Sequence, residues 1–117
     1  FYDSIGIYQK PSSSEKAVAR QWLAVLGMES RANEPFNKLS FGDQRMLLIA
    51  RAMVKHPALL ILDEPCLGLD DMNRSQVLAM IEMVCVGTET TVLYVNHHAQ
   101  DKIVGIHRSF DLGNLLR

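Results

Sequence analysis

The sequence predicts an α/β fold built on a parallel sheet, and three observations carry that reading. Leu59 to Leu62 is an unbroken aliphatic run without polar alternation, the pattern of a strand covered on both faces of a parallel sheet. Thr91 to Val95 repeats that character and predicts a second buried strand. Before and between these runs lie segments with apolar residues at helical spacing, each bounded by capping or stop signals, so helices and strands alternate.

Residues 1 to 11 carry turn formers and aromatics (Phe1, Tyr2, Tyr8, Pro11) and no clear period. Ser12-x-x-Glu15 is a capping box that opens a helix. Ala17, Val18, Trp22, Leu23, Val25 and Leu26 supply its apolar face, and Gly27 suits its end. Residues 28 to 38 are polar, with Asn33, Pro35 and Asn37, and read as a loop. A second helix begins near Ser40 and runs to about His56, with Met46, Leu47, Ile49, Ala50 and Met53 on its apolar face and Pro57 as its stop. The first strand follows. A third helix spans about Met72 to Val86 and ends at Gly87. After the second strand, Ile106 to Leu112 and Leu115 to Arg117 read as short edge strands.

Composition sets the bounds. A chain of 117 residues with 48% hydrophobic and 21% charged residues can bury a core, which excludes disorder. A net charge of −1 gives no reason to expect a nucleic-acid partner. The two cysteines, Cys66 and Cys85, have no CxxC spacing and read as free thiols in a reducing compartment. No apolar run approaches the ~18 residues of a membrane span, and the opening residues do not read as a signal peptide. The chain opens at Phe1 without a methionine, so we expect a piece of a longer protein.

Two motifs carry chemistry. In Ser40-Phe41-Gly42-Asp43-Gln44, a helix start offers unpaired N–H groups to an anion, Ser40 adds a hydroxyl, and Gly42 permits close approach of the backbone. Read alone, Ser40 is simply an N-cap. In Leu59-Leu60-Ile61-Leu62-Asp63-Glu64-Pro65, two carboxylates sit at the carboxyl end of a buried strand, where α/β proteins place ligands. Asp63 can hold Mg²⁺ by way of water, and Glu64 can orient or deprotonate an attacking water. Gly68-Leu69-Asp70 forms a turn with Asp70 as a helix N-cap. Cys66, beside two acids, lacks the electropositive setting of a nucleophile and reads as incidental.

LSxGxQ followed by Ile49-Ala50-Arg51-Ala52, then the aliphatic run and Asp-Glu-Pro, resembles the ATP-binding cassette (ABC) ATPase family. The resemblance implies the C-terminal part of a P-loop NTPase domain: residues 1–40 from the helical subdomain, and residues 41–117 carrying signature helix, Walker B, D-loop and switch histidine on a partial parallel sheet. It further implies that Ser40, Gly42, Gln44 and Asp70 contact ATP or its neighbourhood, that Asp63 holds magnesium, and that Glu64 and His97 are catalytic. His97 follows the second strand, with His98 as runner-up and Asn96 where Thr or Ser is usual. Phe41 and Asp43 depart from the pattern, standing where the family has Gly and then Gln or Glu.

The opening FYDSIG, the substituted signature and the paired histidines are closest in type to double-cassette members linked by name to molybdate transport. The implied partners are a second cassette, fused or homodimeric, and membrane permease subunits, in a cytoplasmic location at the inner face of the membrane. The phosphate-binding loop G-x-x-x-x-G-K-S/T is missing, for no Gly-Lys pair occurs, and no Q-loop is found. The chain alone is therefore expected to be inactive, and its unpartnered sheet to pair with another chain. Two rival readings remain. One is a non-catalytic module that keeps the cassette fold for dimerisation or regulation. The other is a metal site of His97, His98 and Asp101, which adjacent histidines on opposite sides of the backbone disfavour. His56 and His107 read as surface or helix-end residues.

Overall fold

The computed structural model describes residues 12–96. Helix α1 spans Ser13–Val25, and its start is the capping box: Ser12 Oγ accepts from Glu15 N–H at 3.1 Å while Glu15 reaches back to the Ser12 amide. Its buried face is shifted from the one expected. Ala19 is buried, with Val18, Trp22, Leu23 and Leu26 half-buried, whereas Ala17 and Val25 face outward. The reason is period: 18, 19, 22, 23 and 26 share one helical stripe, 17 lies off it, and 25 falls at the edge of the stripe on the last residue of the helix.

The stretch expected to be loop contains two single 3₁₀ turns, Glu29–Arg31 and Phe36–Lys38, and a fully buried Met28. Helix α2 spans Phe41–Met53 and is capped by Ser40. It ends earlier than expected, because His56 turns into the left-handed region at φ 49° before Pro57. Strand β1 is Leu59–Asp63, helix α3 is Asp71–Gly87 with Asp70 as its N-cap, and strand β2 is Thr91–Val95. β1 and β2 pair in parallel with Leu60 opposite Val92 and Asp63 opposite Val95, so β1-α3-β2 is a parallel crossover unit. The edge strands expected over 106–117 lie outside the described residues.

The core lies where α2, α3 and one face of β1 meet. Met46, Ile49, Ala50 and Met53 come from α2, Leu60 and Leu62 from β1, and Val77, Met80, Ile81 and Val84 from α3. Three of these ten are methionines, whose unbranched thioethers fill irregular gaps between the helices. Trp22 and Leu26 bring α1 against the same cluster.

One expectation is corrected. Both strands were expected to be covered on two faces, but among the described residues only one face is covered. Leu59, Ile61 and Leu93 are 51%, 58% and 49% exposed, while Leu60 and Leu62 point into the core. The physical reason is that every described helix packs on the same side of a two-stranded sheet. An unbroken aliphatic run therefore becomes alternating in burial.

Ile81→Ala is expected to lower stability by about 2–5 kcal/mol, since the side chain is completely buried between α2 and β1. Val86→Ala, on the exposed side of α3, should change it by no more than about 0.5 kcal/mol. Urea unfolding followed by fluorescence of the single Trp22 checks both.

Candidate functional site

The site has two ends joined by α2. At the first, Ser40 is extended (φ −60°, ψ 158°) and its Oγ accepts from Asp43 N–H at 3.1 Å. That leaves the hydroxyl proton to donate outward, beside the Phe41 and Gly42 amides that have no acceptor one helical turn back. The expected N-cap and the outward anion site are thus compatible. Asp43 does not stand as a lone charge at this end, because Arg31 Nη2 meets its carboxylate at 2.8 Å. Gln44 points backward, its Nε2 donating to Phe36 O at 3.0 Å and Leu39 O at 3.2 Å, so it ties the preceding turn to the helix start. Phe41 is 70% exposed, pointing away from the protein.

Gly42 is buried for a packing reason. A Cβ built there would lie 2.7 Å from Asn73 Cγ and 2.8 Å from Asn73 Cβ, so α2 and α3 approach too closely for any side chain at this position. Asp70 caps α3, its Oδ1 accepting from Asn73 N–H at 2.8 Å, as expected of the turn reading. The start of α3 therefore lies against the start of α2.

At the second end, Asp63 is exposed at the close of β1. Glu64 follows in the left-handed region at φ 44°, a conformation costing a non-glycine residue about 1–3 kcal/mol and characteristic of functional sites. Its N–H donates to Val95 O at 2.8 Å, and its C=O accepts from Leu67 N–H at 3.1 Å. It lines a small pocket of about 180 Å³ together with Gly68, Arg74, Tyr94 and Asn96. Cys66 lines the pocket too and is hydrogen-bonded to the Tyr94 hydroxyl. Burial pushes its thiol pKa up, and Tyr94 and the Arg74 and Arg45 cations only partly oppose this. That suits the incidental role expected of it. Burial likewise holds the Tyr94 phenol above its usual range. Both cysteines are free, as expected. His97, His98, Asp101 and His107 lie outside the described residues, while His56 is an exposed helix-end residue, as expected.

Sequence reasoning missed Arg45. From α2 its Nη1 donates to Pro65 O at 2.7 Å and its Nη2 to Leu67 O at 3.1 Å. The readable signal was a lone cation beside an apolar stripe, since 45 lies one turn before the buried Ile49. Asn73 was also missed, because nothing local to it signals a partner 31 positions earlier.

The ABC transporter family profile matches residues 3–67. The chain is 49% identical over 102 residues to the ABC transporter ATP-binding protein ModF of Escherichia coli (strain K12), covering 86% of this chain and 21% of ModF. It is 40% identical to the ABC transporter ATP-binding protein YlmA of Bacillus subtilis (strain 168), covering 86% of this chain and 38% of YlmA. Among solved structures, an ABC transporter in an inward-facing conformation matches with a TM-score of 0.68 at 34% identity, over 80% of this chain and 38% of that one. The cbiO1 protein of Clostridium perfringens, part of the ABC transporter complex cbiONQ, matches with a TM-score of 0.67 at 29% identity, over 79% of this chain and 37% of that one. This chain belongs to the ABC transporter family and has the fold of part of its ATPase domain. It spans about a fifth of the length of ModF and under two-fifths of YlmA.

Gly42→Ala should cost about 1–3 kcal/mol, because Asn73 cannot move without shifting α3. Adding Asn73→Gly should recover part of that loss. Urea midpoints of the single and double variants check this, and a neutral Gly42→Ala would show that the helices separate freely.

Proposed function

We propose that the protein carrying this chain binds and hydrolyses ATP between two ABC cassettes and couples the reaction to transport. The observation that supports this most is the acidic pair at the carboxyl end of a parallel strand, with Glu64 held at φ 44° over a pocket. Strain of this kind clusters at functional sites, and at Glu64, unlike at the helix-end His56, it coincides with a pocket.

The exposed Asp63 carboxylate offers the hard oxygen donor that Mg²⁺ takes, and we assign it that ion, held by way of water. When bound, the ion supplies charge neutralisation for the phosphates. Glu64 accepts a proton from the water whose oxygen attacks the γ-phosphorus. The new O–P bond forms as the bond to the β-phosphate oxygen breaks, and its electron pair leaves with ADP. His97 contacts the γ-phosphate in this reading. At the start of α2, the Ser40 hydroxyl and the Phe41 and Gly42 amides donate to the γ-phosphate of nucleotide held by the opposite cassette. Gln44 keeps that helix start in register, and Asp70 keeps the loop between the two sites in place.

The partners in this reading are a second cassette and membrane permease subunits. No described helix is long and apolar enough to cross a membrane, and the working location is the cytoplasmic face. The cargo is molybdate, supported by likeness to double-cassette proteins and not by any residue of the site. The bare sheet face and the missing phosphate-binding loop support the view that the remainder of a cassette completes the domain. A second reading, the non-catalytic cassette module, is favoured by the exposed Phe41 in the signature turn.

In the intact protein, Glu64→Gln should cut ATP hydrolysis to a small residual rate while ATP still binds, measured by phosphate release and by equilibrium binding. Unchanged hydrolysis would remove Glu64 from the base role, and a wild-type protein that binds ATP without turnover would favour the module. The 117-residue chain alone should release no phosphate above buffer.

A further inference from the structure

We propose that Arg45 is a positioning residue for Glu64, holding the loop behind the acidic pair from the signature helix. The proposal rests on the reading of Glu64 as the base. The two Nη atoms of Arg45 reach the carbonyls of Pro65 at 2.7 Å and Leu67 at 3.1 Å, and Nη1 approaches the Glu64 carbonyl at the outer limit of 3.5 Å. A planar guanidinium fixes two acceptors at once, which a flexible ammonium does not.

What it fixes matters because Glu64 is strained. Its amide is tied to β2 through Val95 O, and its carbonyl to Leu67 N–H. The same Leu67 peptide carries the carbonyl that Arg45 holds, and Pro65 has no amide proton with which to anchor itself. Arg45 therefore closes the turn that keeps residue 64 left-handed. It also sits on the same helix as Ser40, five positions from the capped start, and so ties the two ends of the site into one body.

The test uses the intact protein. Arg45→Met keeps the aliphatic stem and removes every donor. We expect kcat for ATP hydrolysis to fall about 10- to 100-fold, because the base is misplaced, while KM for ATP stays within about twofold. In a Glu64→Gln background, Arg45→Met should cause no further loss of the residual rate, since a misplaced base and a missing base fail alike. Arg45→Lys should fall between Arg45→Met and the wild type.

A kcat for Arg45→Met within about twofold of the wild type, with Glu64→Gln inactive, overturns the proposal and leaves the base assignment standing. A loss that multiplies in the double variant overturns it too, because Arg45 would then act elsewhere. An active Glu64→Gln protein instead removes the reading beneath it. If Arg45→Met does not fold, Arg45→Lys carries the same test, and a wild-type kcat for that variant overturns the proposal.

Discussion

The arrangement depends on how closely α2 approaches α3. At Gly42 the helices meet with no room for a single methyl group. From there the contact continues into residues that lose all access to water, Ala50 on α2 and Val77, Ile81 and Val84 on α3. Burial of this kind is the largest favourable contribution available to so small a chain. Its geometry also sets where the candidate site residues lie. The start of α2 presents Ser40, and the start of α3 follows the loop that carries Glu64. Packing two helix starts together fixes the distance between Ser40 and the acidic pair, and Arg45 adds a polar tie from α2 to the loop before α3.

The sheet has the opposite character. Two parallel strands carry all their described cover on one side and leave Leu59, Ile61 and Leu93 half in water. Parallel sheets are ordinarily covered on both faces, and aliphatic residues at all of 59–62 suit such burial. The chain accounts for 21% to 38% of the relatives compared with it, so the proteins of this family have ample further sequence to lie against that face. Among the described residues neither outer edge pairs with a further strand, and such an edge is a template for another segment or chain.

The capping box at Ser12 and the Asp70 cap were legible because each is local. A side chain within three residues of a helix start speaks for itself, whereas the end of α2 was placed too late because the left-handed His56 stops it before Pro57. Parallel pairing was legible from aliphatic runs, but one-sided cover was not. Which face is bare depends on where helices pack, and a continuous apolar run carries no period from which to read it. The faces of α1 were misjudged at Ala17 because apolar composition is not position on a stripe, and at Val25 because it falls at the stripe's edge on the last residue of the helix. The candidate residues Ser40, Gly42, Asp63 and Glu64 could be singled out from the sequence by local motif alone. Their supports, Asn73, Arg31 and Arg45, could not, because each acts across a gap in sequence that only packing closes. The left-handed Glu64 was equally hidden, since the strain comes from its neighbours and not from its own side chain.

The central claim is that one helix serves two different nucleotides, one at its Ser40 end and another beside Asp63 and Glu64. The most direct measurement is a structure of the intact protein, as the Glu64→Gln variant, with ATP bound. The account predicts Ser40 Oγ and the Gly42 amide within hydrogen-bonding distance of a γ-phosphate held by the opposite cassette, while Asp63 and residue 64 face the nucleotide of their own. Both ends on a single nucleotide, or Ser40 facing no phosphate at all, would contradict it.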